Sequence, residues 1–326
     1  MKIYFQSIAE PYPGDKWQQL FERYWPSYLR WFMKEGDEAR PTYLACERAL
    51  RQYMPELMPT YERLLALSGQ GDQAARFLSL YRPTNYMSGC SQAVWTREQP
   101  FLIRNYDYSS QLWEGKLWHT AWNGTRVIAM SDCLWGVLDG MNEKGLAVSL
   151  AFGGRKTIGD GFGIPLILRY ILEFCATTAE ATSVLRRVPS HMAYNVTVLD
   201  KQGAFATVFV SPDQDVVVAR RALATNHQDR VDWPEHARAT ASLDRAHVLS
   251  LRLQDAHETR ERFAERFLEP PLYQLNHDQG WGTLYTARYD PTANAVSIKW
   301  PGHSVDFDFD RFVEQYLVIR VKADKF

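Results

Sequence analysis

The pattern of apolar and polar positions changes character near residue 89. Residues 2–8 alternate as a short strand. Residues 15–34 repeat at helical spacing, with Trp17, Leu20, Phe21, Tyr24 and Trp25 on one side, and Pro26 predicts a break or kink. Residues 42–67 predict one or two more helices, interrupted near Pro55 and Pro59. Gly69-Gln70-Gly71-Asp72 reads as a turn, and residues 72–81 as a last short helix. The chain thus opens with a mainly helical segment, 1–89, whose aromatics suit ordinary packing or the wall of a pocket.

From Cys90 the period falls to two, and residues 90–326 read as the larger unit. Strands are predicted at 90–96, 101–108, 116–122 and 125–131. Leu134 to Leu150 reads as a hairpin turning at Asn142-Glu143-Lys144-Gly145, where glycine can take a positive φ. Pro165 opens an apolar helix running to Cys175, and a second helix runs from Thr178 to about Val188. Strands return at 193–199, 204–210 and 215–220, joined by hairpin turns. An apolar run then ends in Thr225-Asn226-His227. Residues 233–268 are charged and helical in period. Further strands begin at 280–287 and 295–300, and the tail, 303–322, is mixed. Propensity alone gives an α+β class.

Composition narrows the chemistry. The 326 residues allow one large domain or two ordinary ones, and 13% aromatic content can fill a large core. A formal net charge of −1 gives no electrostatic case for nucleic acid or an acidic membrane surface. Four cysteines are too sparse for a disulfide framework, and no metal-ligand motif appears, so neither metal nor cofactor is called for. The opening Met1–Gln6 is too short and polar for a signal peptide. No apolar run reaches the roughly 18 residues of a membrane span. The expectation is a reduced, cytoplasmic protein.

One cysteine stands out. Cys90 follows Gly89 at the start of a strand, and the next strand carries Arg104, Asn105 and Asp107. Alternation places Arg104 and Tyr106 on one face and Asn105 and Asp107 on the other. If the two strands pair across residues 96–100, the thiol and the polar cluster lie together. Cys46, Cys133 and Cys175 lack such a context and read as buried hydrophobes.

This order of Cys90, an R-N-x-D strand, the Asn142–Gly145 hairpin, two helices, Thr225-Asn226 and Tyr285-Thr286-Ala287 resembles the N-terminal-nucleophile hydrolases. The likeness is to the penicillin acyltransferase-like peptidases of family C45, the choloylglycine hydrolases and acid ceramidase. The resemblance implies a four-layer αββα sandwich and autocleavage of the Gly89–Cys90 bond, with residues 1–89 remaining bound as a prosegment. Cys90 would then be nucleophile and, through its freed α-amino group, its own base; such an amine titrates near pH ~8. By the same resemblance Asp107 would hold that amine, Arg104 would favour the thiolate, and Asn226 would donate to an oxyanion. Asn105, Thr225, His227 and Arg245 would support them. Arg238 competes with Arg245 for its place, and both otherwise read as solvated helix arginines.

Two positions depart from the pattern. Choloylglycine hydrolases carry asparagine where this chain has Ala151, which puts bile-salt specificity and the second oxyanion donor in doubt, and relatives often carry V-E where it has Val208-Phe209. The expected activity is a self-processing cysteine amidohydrolase or N-acyltransferase acting on a linear amide, with a small-molecule amide or acyl donor as partner and a homo-oligomer left open. Two other readings stand beside it. One is an unprocessed relative that binds an acylated ligand without catalysis. The other is a papain-like thiol hydrolase with His119, His191 or His227 as base.

Overall fold

The computed structural model describes residues 2–321; Met1 and residues 322–326, and with them the last position of the mixed tail, lie outside the described residues. Strand β1 (Lys2–Ala9) leads into α1 (Asp15–Phe32), α2 (Tyr43–Tyr53), α3 (Met58–Leu67) and α4 (Asp72–Leu78). A single 3-10 turn, Pro55–Leu57, separates α2 from α3. The predicted break at Pro26 is corrected: α1 runs through it. Pro26 and Glu22, whose carbonyl the proline ring displaces, are both exposed, so that carbonyl can turn to water while Trp17, Leu20, Phe21 and Phe32 stay buried.

Then follow β2 (Gly89–Trp95), β3 (Phe101–Asp107), β4 (Lys116–Thr120), β5 (Val127–Asp132), β6 (Gly136–Asn142) and β7 (Leu146–Phe152). The β6–β7 turn is the predicted one, with Gly145 at φ +80. Helices α5 (Ile164–Phe174) and α6 (Thr178–Arg187) come next; Thr177 and Glu180 cap α6 reciprocally. Strands β8 (Tyr194–Asp200), β9 (Phe205–Ser211), β10 (Gln214–Ala219) and the two-residue β11 (Leu223–Ala224) precede α7 (Pro234–Ala239), α8 (Ser242–Gln254) and α9 (Arg260–Arg266). The chain closes with β12 (Thr283–Asp290), β13 (Ala295–Trp300), β14 (His303–Asp308) and β15 (Gln315–Arg320). The last two resolve the mixed tail into strands.

Among the described residues the strands form two sheets. One has nine strands in the order β10-β9-β8-β7-β6-β5-β4-β1-β15, the other six in the order β11-β2-β3-β12-β13-β14. The sheets face each other where β2 and β3 pack on β7 and β8. Helices α5 and α6 cover the outer face of the large sheet, and α8 covers β2 and β11 of the small one. Phe263 of α9 and Phe267 just after it join Trp95, Phe101 and Leu249 in a separate apolar cluster on that outer side. The layers are therefore helix, sheet, sheet, helix: an α+β, four-layer αββα sandwich.

Strand β1 enters the nine-stranded sheet between β4, to which it runs parallel, and β15, to which it runs antiparallel. Residues before Cys90 thus supply a strand to the large sheet as well as helices beside it. The indole of Trp17 donates to the Leu134 carbonyl at 3.1 Å, and that of Trp135 to the Leu78 carbonyl at 2.8 Å. These bonds tie α1 and α4 to the loop before β6.

Candidate active site

The predicted β2–β3 pairing holds with simple antiparallel register: Gly89 opposite Asp107, Cys90 opposite Tyr106, Ser91 opposite Asn105, Gln92 opposite Arg104. Strand alternation then assigns the faces. Cys90, Gln92, Arg104 and Tyr106 point between the sheets. Ser91, Asn105 and Asp107 point toward α8 and α9. All are buried, because β2 and β3 are flanked on both edges and covered on both faces.

On the inter-sheet face, Arg104 Nη2 lies 3.2 Å from Cys90 Sγ, and Ser88 Oγ lies 3.6 Å from it on the other side. Arg104 also donates through Nε to the Leu150 carbonyl at 2.8 Å and through Nη1 to Tyr285 Oη at 3.0 Å. Its remaining partner is the Asp139 carboxylate, a fully buried ion pair. Tyr285 and Tyr289 donate to the same carboxylate at 2.5 Å each. Burial works against the Arg104 charge. Cys90, Tyr285 and Asp139 outweigh it and hold the guanidinium firmly protonated. A fixed cation thus faces the sulfur.

On the other face, Arg245 of α8 organises the backbone around Cys90. Its Nη1 donates to Asp107 Oδ2 at 2.9 Å and to Ser91 Oγ at 2.8 Å, and its Nη2 to Asn226 Oδ1 at 2.7 Å. Asn226 Oδ1 also accepts from the Cys90 backbone N–H at 2.9 Å. Asn226 Nδ2 donates at 3.2 Å to the carbonyls of Ser88 and Phe152. Asp107 takes a second bond at 2.7 Å from Thr283. Burial pushes the Asp107 carboxyl up, against the opposing pull of Arg245 and Thr283.

The Cys90 nitrogen is held by Asn226 rather than by Asp107. Asp107 instead crowds Gly89: a Cβ built there would sit 3.0 Å from Asp107 Cβ and 3.4 Å from its Oδ2. A side chain at this position would make Asp107 give way by a few tenths of an ångström.

The supporting residues separate. Arg245 is fully buried, so the solvated-helix reading is corrected; its helix face meets β2 and β11 rather than water. Arg238 is exposed and reaches only Glu235. Thr225 bonds to the Ser242 carbonyl at 2.9 Å, and His227 Nδ1 lies 2.8 Å from Ser242 Oγ, so both secure the loop that carries Asn226. Asn105 donates to the carbonyls of Phe267 and Leu272 at 2.8 and 2.9 Å and accepts from Thr286 at 2.7 Å. It anchors the α9 region and makes no bond to Cys90. The three candidate histidine bases are engaged elsewhere: His191 with Gly159 and Asn85, His119 against Phe309 and Phe312, His227 with Ser242.

Asp139, Tyr289, Thr283, Ser88 and Asn195 complete the site, and all but Asp139 carry no signal of their own in the pattern. Asn195 sits opposite Ala151 and ties down the carbonyls of Thr225 and His227 at 2.8 and 2.9 Å. Asp139 left one clue: a carboxylate amid the apolar run Gly136–Gly140 has to find a buried cation.

The geometry can be set beside known proteins. No curated protein sequence matches the chain. Among solved structures it is similar to penicillin V acylase from Agrobacterium tumefaciens, with 16% identity, TM-score 0.45, and coverage of 64% of this chain and 82% of that one. It is also similar to a Caenorhabditis elegans ortholog of N-acylethanolamine-hydrolyzing acid amidase, at 17% identity and TM-score 0.45, covering 63% and 93%. A mutant of conjugated bile acid hydrolase from Clostridium perfringens matches at 12% identity and TM-score 0.41, covering 72% and 97%. At family level the match is to acyl-coenzyme A:6-aminopenicillanic acid acyl-transferase over residues 95–304. It starts five residues beyond Cys90 and takes in Arg104, Asp107, Asn226 and Arg245. Spanning more than half of the 326 residues, it shows that the chain belongs to the acyl-coenzyme A:6-aminopenicillanic acid acyl-transferase family.

Proposed function

We propose that this protein is a self-processing cysteine amidohydrolase or N-acyltransferase acting on linear amides. The observation that carries the reading is the setting of Cys90. Its sulfur faces a fixed guanidinium at 3.2 Å while its backbone nitrogen rests on an asparagine that a buried arginine orients.

Maturation begins when Cys90 Sγ attacks the Gly89 carbonyl carbon. The C–N bond breaks, the thiol proton passes to the departing nitrogen, and a thioester joins Gly89 to the sulfur. Water cleaves the thioester, leaving a Gly89 carboxylate and a Cys90 that bears both a free thiol and a free α-amino group. Asn226 Oδ1 is already placed to accept from that nitrogen, and Asp107 lies beside the position Gly89 vacates. Release of the Ser88 carbonyl frees an Asn226 N–H, which supplies an oxyanion donor within one residue of the old scissile carbonyl. Residues 2–89 stay bound as a prosegment through β1 and the α1 and α4 contacts.

In turnover the α-amino group takes the thiol proton, the thiolate attacks the substrate carbonyl, and the amine leaves with that proton. The acyl-thioester then passes its acyl group to water or to a second amine. All four cysteines are free and buried, which suits a reducing, cytoplasmic compartment.

The test is the intact mass of the denatured protein beside Cys90→Ala. The expected result is two fragments, the larger starting at Cys90, with one full-length species in the variant and no amide turnover by it. Amide hydrolysis that survives Cys90→Ala would sink the proposal.

A further inference from the structure

A cavity of about 190 Å³ lies at the end of a run of aromatic rings that reaches Arg104 beside the thiol. Aromatic rings follow one another around it. Tyr28 meets Trp31 at 6.2 Å, Trp31 meets Tyr86 at 6.3 Å, and Tyr86 meets Tyr108 at 6.5 Å between ring centroids. Tyr108 continues to Tyr106 at 5.7 Å, Tyr106 to Tyr285 at 5.7 Å, and Tyr285 to Trp113 at 5.8 Å. Tyr106 and Tyr285 are also the rings that touch Arg104 beside Cys90. Helix α1 therefore divides its aromatics: Trp17 and Phe21 pack the core, whereas Tyr24, Tyr28 and Trp31 face this space.

Two carboxylates, Glu114 and Asp132, lie among these rings, and no Lys, Arg or His lines the cavity among the described residues. Glu114 is fully engaged, accepting from Tyr28, from Ser131 at 2.7 Å and from the Leu134 N–H at 2.7 Å. Lys116, two residues from Glu114, turns to Gln6 at 3.0 Å. Asp132 has no cation in the cavity lining; its company is the Cys133 backbone, Tyr28 at a long 3.5 Å and Tyr86.

We infer that this cavity binds the cationic head of the substrate, a protonated or quaternary ammonium group, with Asp132 as counter-ion and the rings as its cage. The proposal deepens the thiol-amidase reading and rests on it for the role of the bound group, which the ring path through Tyr106 and Tyr285 joins to Cys90. An ammonium ion over several ring faces gains from their quadrupoles, most of all where water is excluded. A neutral acyl chain would use the rings but leave the half-buried Asp132 without a counter-charge, which is costly. Burial and the Glu114 charge push Asp132 up to about 7, the behaviour of a carboxylate that lacks a cation of its own.

Calorimetry with choline and its neutral isostere 3,3-dimethylbutan-1-ol tests the site, using the Cys90→Ala protein so that no reaction intervenes. The expected result is binding of choline at least about tenfold tighter than the alcohol. Asp132→Asn should remove most of that difference, and Trp113→Leu should weaken choline severalfold as a second, independent variant. Equal binding of the two compounds, or no binding of either, overturns the proposal whatever the variants do. A second arm separates it from the catalytic reading. Mature wild-type protein should hydrolyse an amide bearing an ammonium group with kcat/KM at least about tenfold above its neutral isostere, and Asp132→Asn should level the two. Turnover without that preference overturns the cation site and leaves the thiol mechanism standing. Selective choline binding without any amide turnover supports the cation site and sinks the amidase reading.

Discussion

The β2–β3 hairpin presents two faces, and each holds a buried arginine–carboxylate pair. Between the sheets, Arg104 and Asp139 sit beside the Cys90 sulfur. On the helix side, Arg245 and Asp107 sit beside the Cys90 nitrogen and the Gly89 position. The first pair is wrapped by Tyr285 and Tyr289 and faces the Cys90 sulfur. The second pair reaches Asn226 and Ser91 and serves the geometry of the backbone. Buried pairs of this kind are poor sources of net stability, because desolvation offsets much of their attraction. Two of them on one hairpin, each aimed at a different atom of the same residue, are better explained by placement than by stability.

The largest effect expected from breaking this comparison is Arg104→Met, made in the Cys90→Ala background so that every molecule stays uncleaved. It leaves Asp139 buried with two tyrosine donors but no cation. The expected loss is about 3–5 kcal/mol, read as a lower urea midpoint at unchanged slope. With Cys90 present, the same change should abolish the appearance of the two fragments. A variant as stable as its parent that still processes normally would show that Arg104 is neither a needed counter-ion nor a thiolate partner.

Arg245→Met should cost a similar amount, about 3 kcal/mol, since Asp107 keeps one donor, Thr283 at 2.7 Å. Adding Asp107→Asn to it should recover part of the loss, since the stranded charge is then gone. Processing should slow rather than stop, because the Arg104–Cys90 contact is untouched. If the two arginine variants behaved alike in processing, the division between a sulfur face and a nitrogen face would be wrong.

Much of this hairpin was legible in the chain, and the reason is local. Alternation over residues 90–108 places Cys90 with Arg104, and Asn105 with Asp107, once the strands pair across a five-residue turn. The small sheet's β12–β13 pair and the large sheet's β6–β7 and β8–β9–β10 runs were legible for the same reason. Arg245 was not, because helical period marks a face without saying what covers it, and its partners lie 19, 138 and 154 residues away. Asp139 meets Arg104 across 35 residues and two sheets. The insertion of β1 between β4 and β15 likewise depends on pairing over more than 300 residues, which no short window contains. Pro26 misled in the opposite sense: the local rule was sound, but exposure of that helix face removed its force.

A smaller effect is expected from Gly89→Ala, which sharpens the contrast at the point where the two faces meet. The added methyl would press on Asp107 Cβ at 3.0 Å. Moving Asp107 disturbs the Arg245 and Thr283 bonds, for an overpacking cost of about 1–3 kcal/mol. Because Arg104 lies on the other face, its contacts should persist. The expected outcome is slower processing with a modest fall in urea midpoint. Unchanged processing and stability would mean that the carboxylate does not need its close approach to the scissile peptide.

The last effect concerns a carboxylate outside both faces and runs in the opposite direction. Asp132 binds its proton more tightly in the folded protein than in the unfolded chain, because burial and Glu114 penalise its charge. Below the ordinary carboxylate range near pH ~4 both states are protonated and Asp132 leaves stability unchanged. As pH rises toward about 7, the unfolded chain sheds the proton first and the folded state loses ground. Asp132→Asn removes this titration, and asparagine can still accept from the tyrosine hydroxyls. The variant should therefore match wild type at pH 4 and exceed it at pH 8, by an amount that chemical denaturation at the two pH values can read. A bound cation should narrow the gap by stabilising the charged wild type alone. The Arg245–Asp107 pair offers the contrast. There burial pushes the carboxyl up as well, but Asp107→Asn strands the buried Arg245 guanidinium and should on that ground lower stability at pH 8. Opposite signs for two buried aspartates would separate a carboxylate that holds the fold's own arginine from one left open for a ligand's charge.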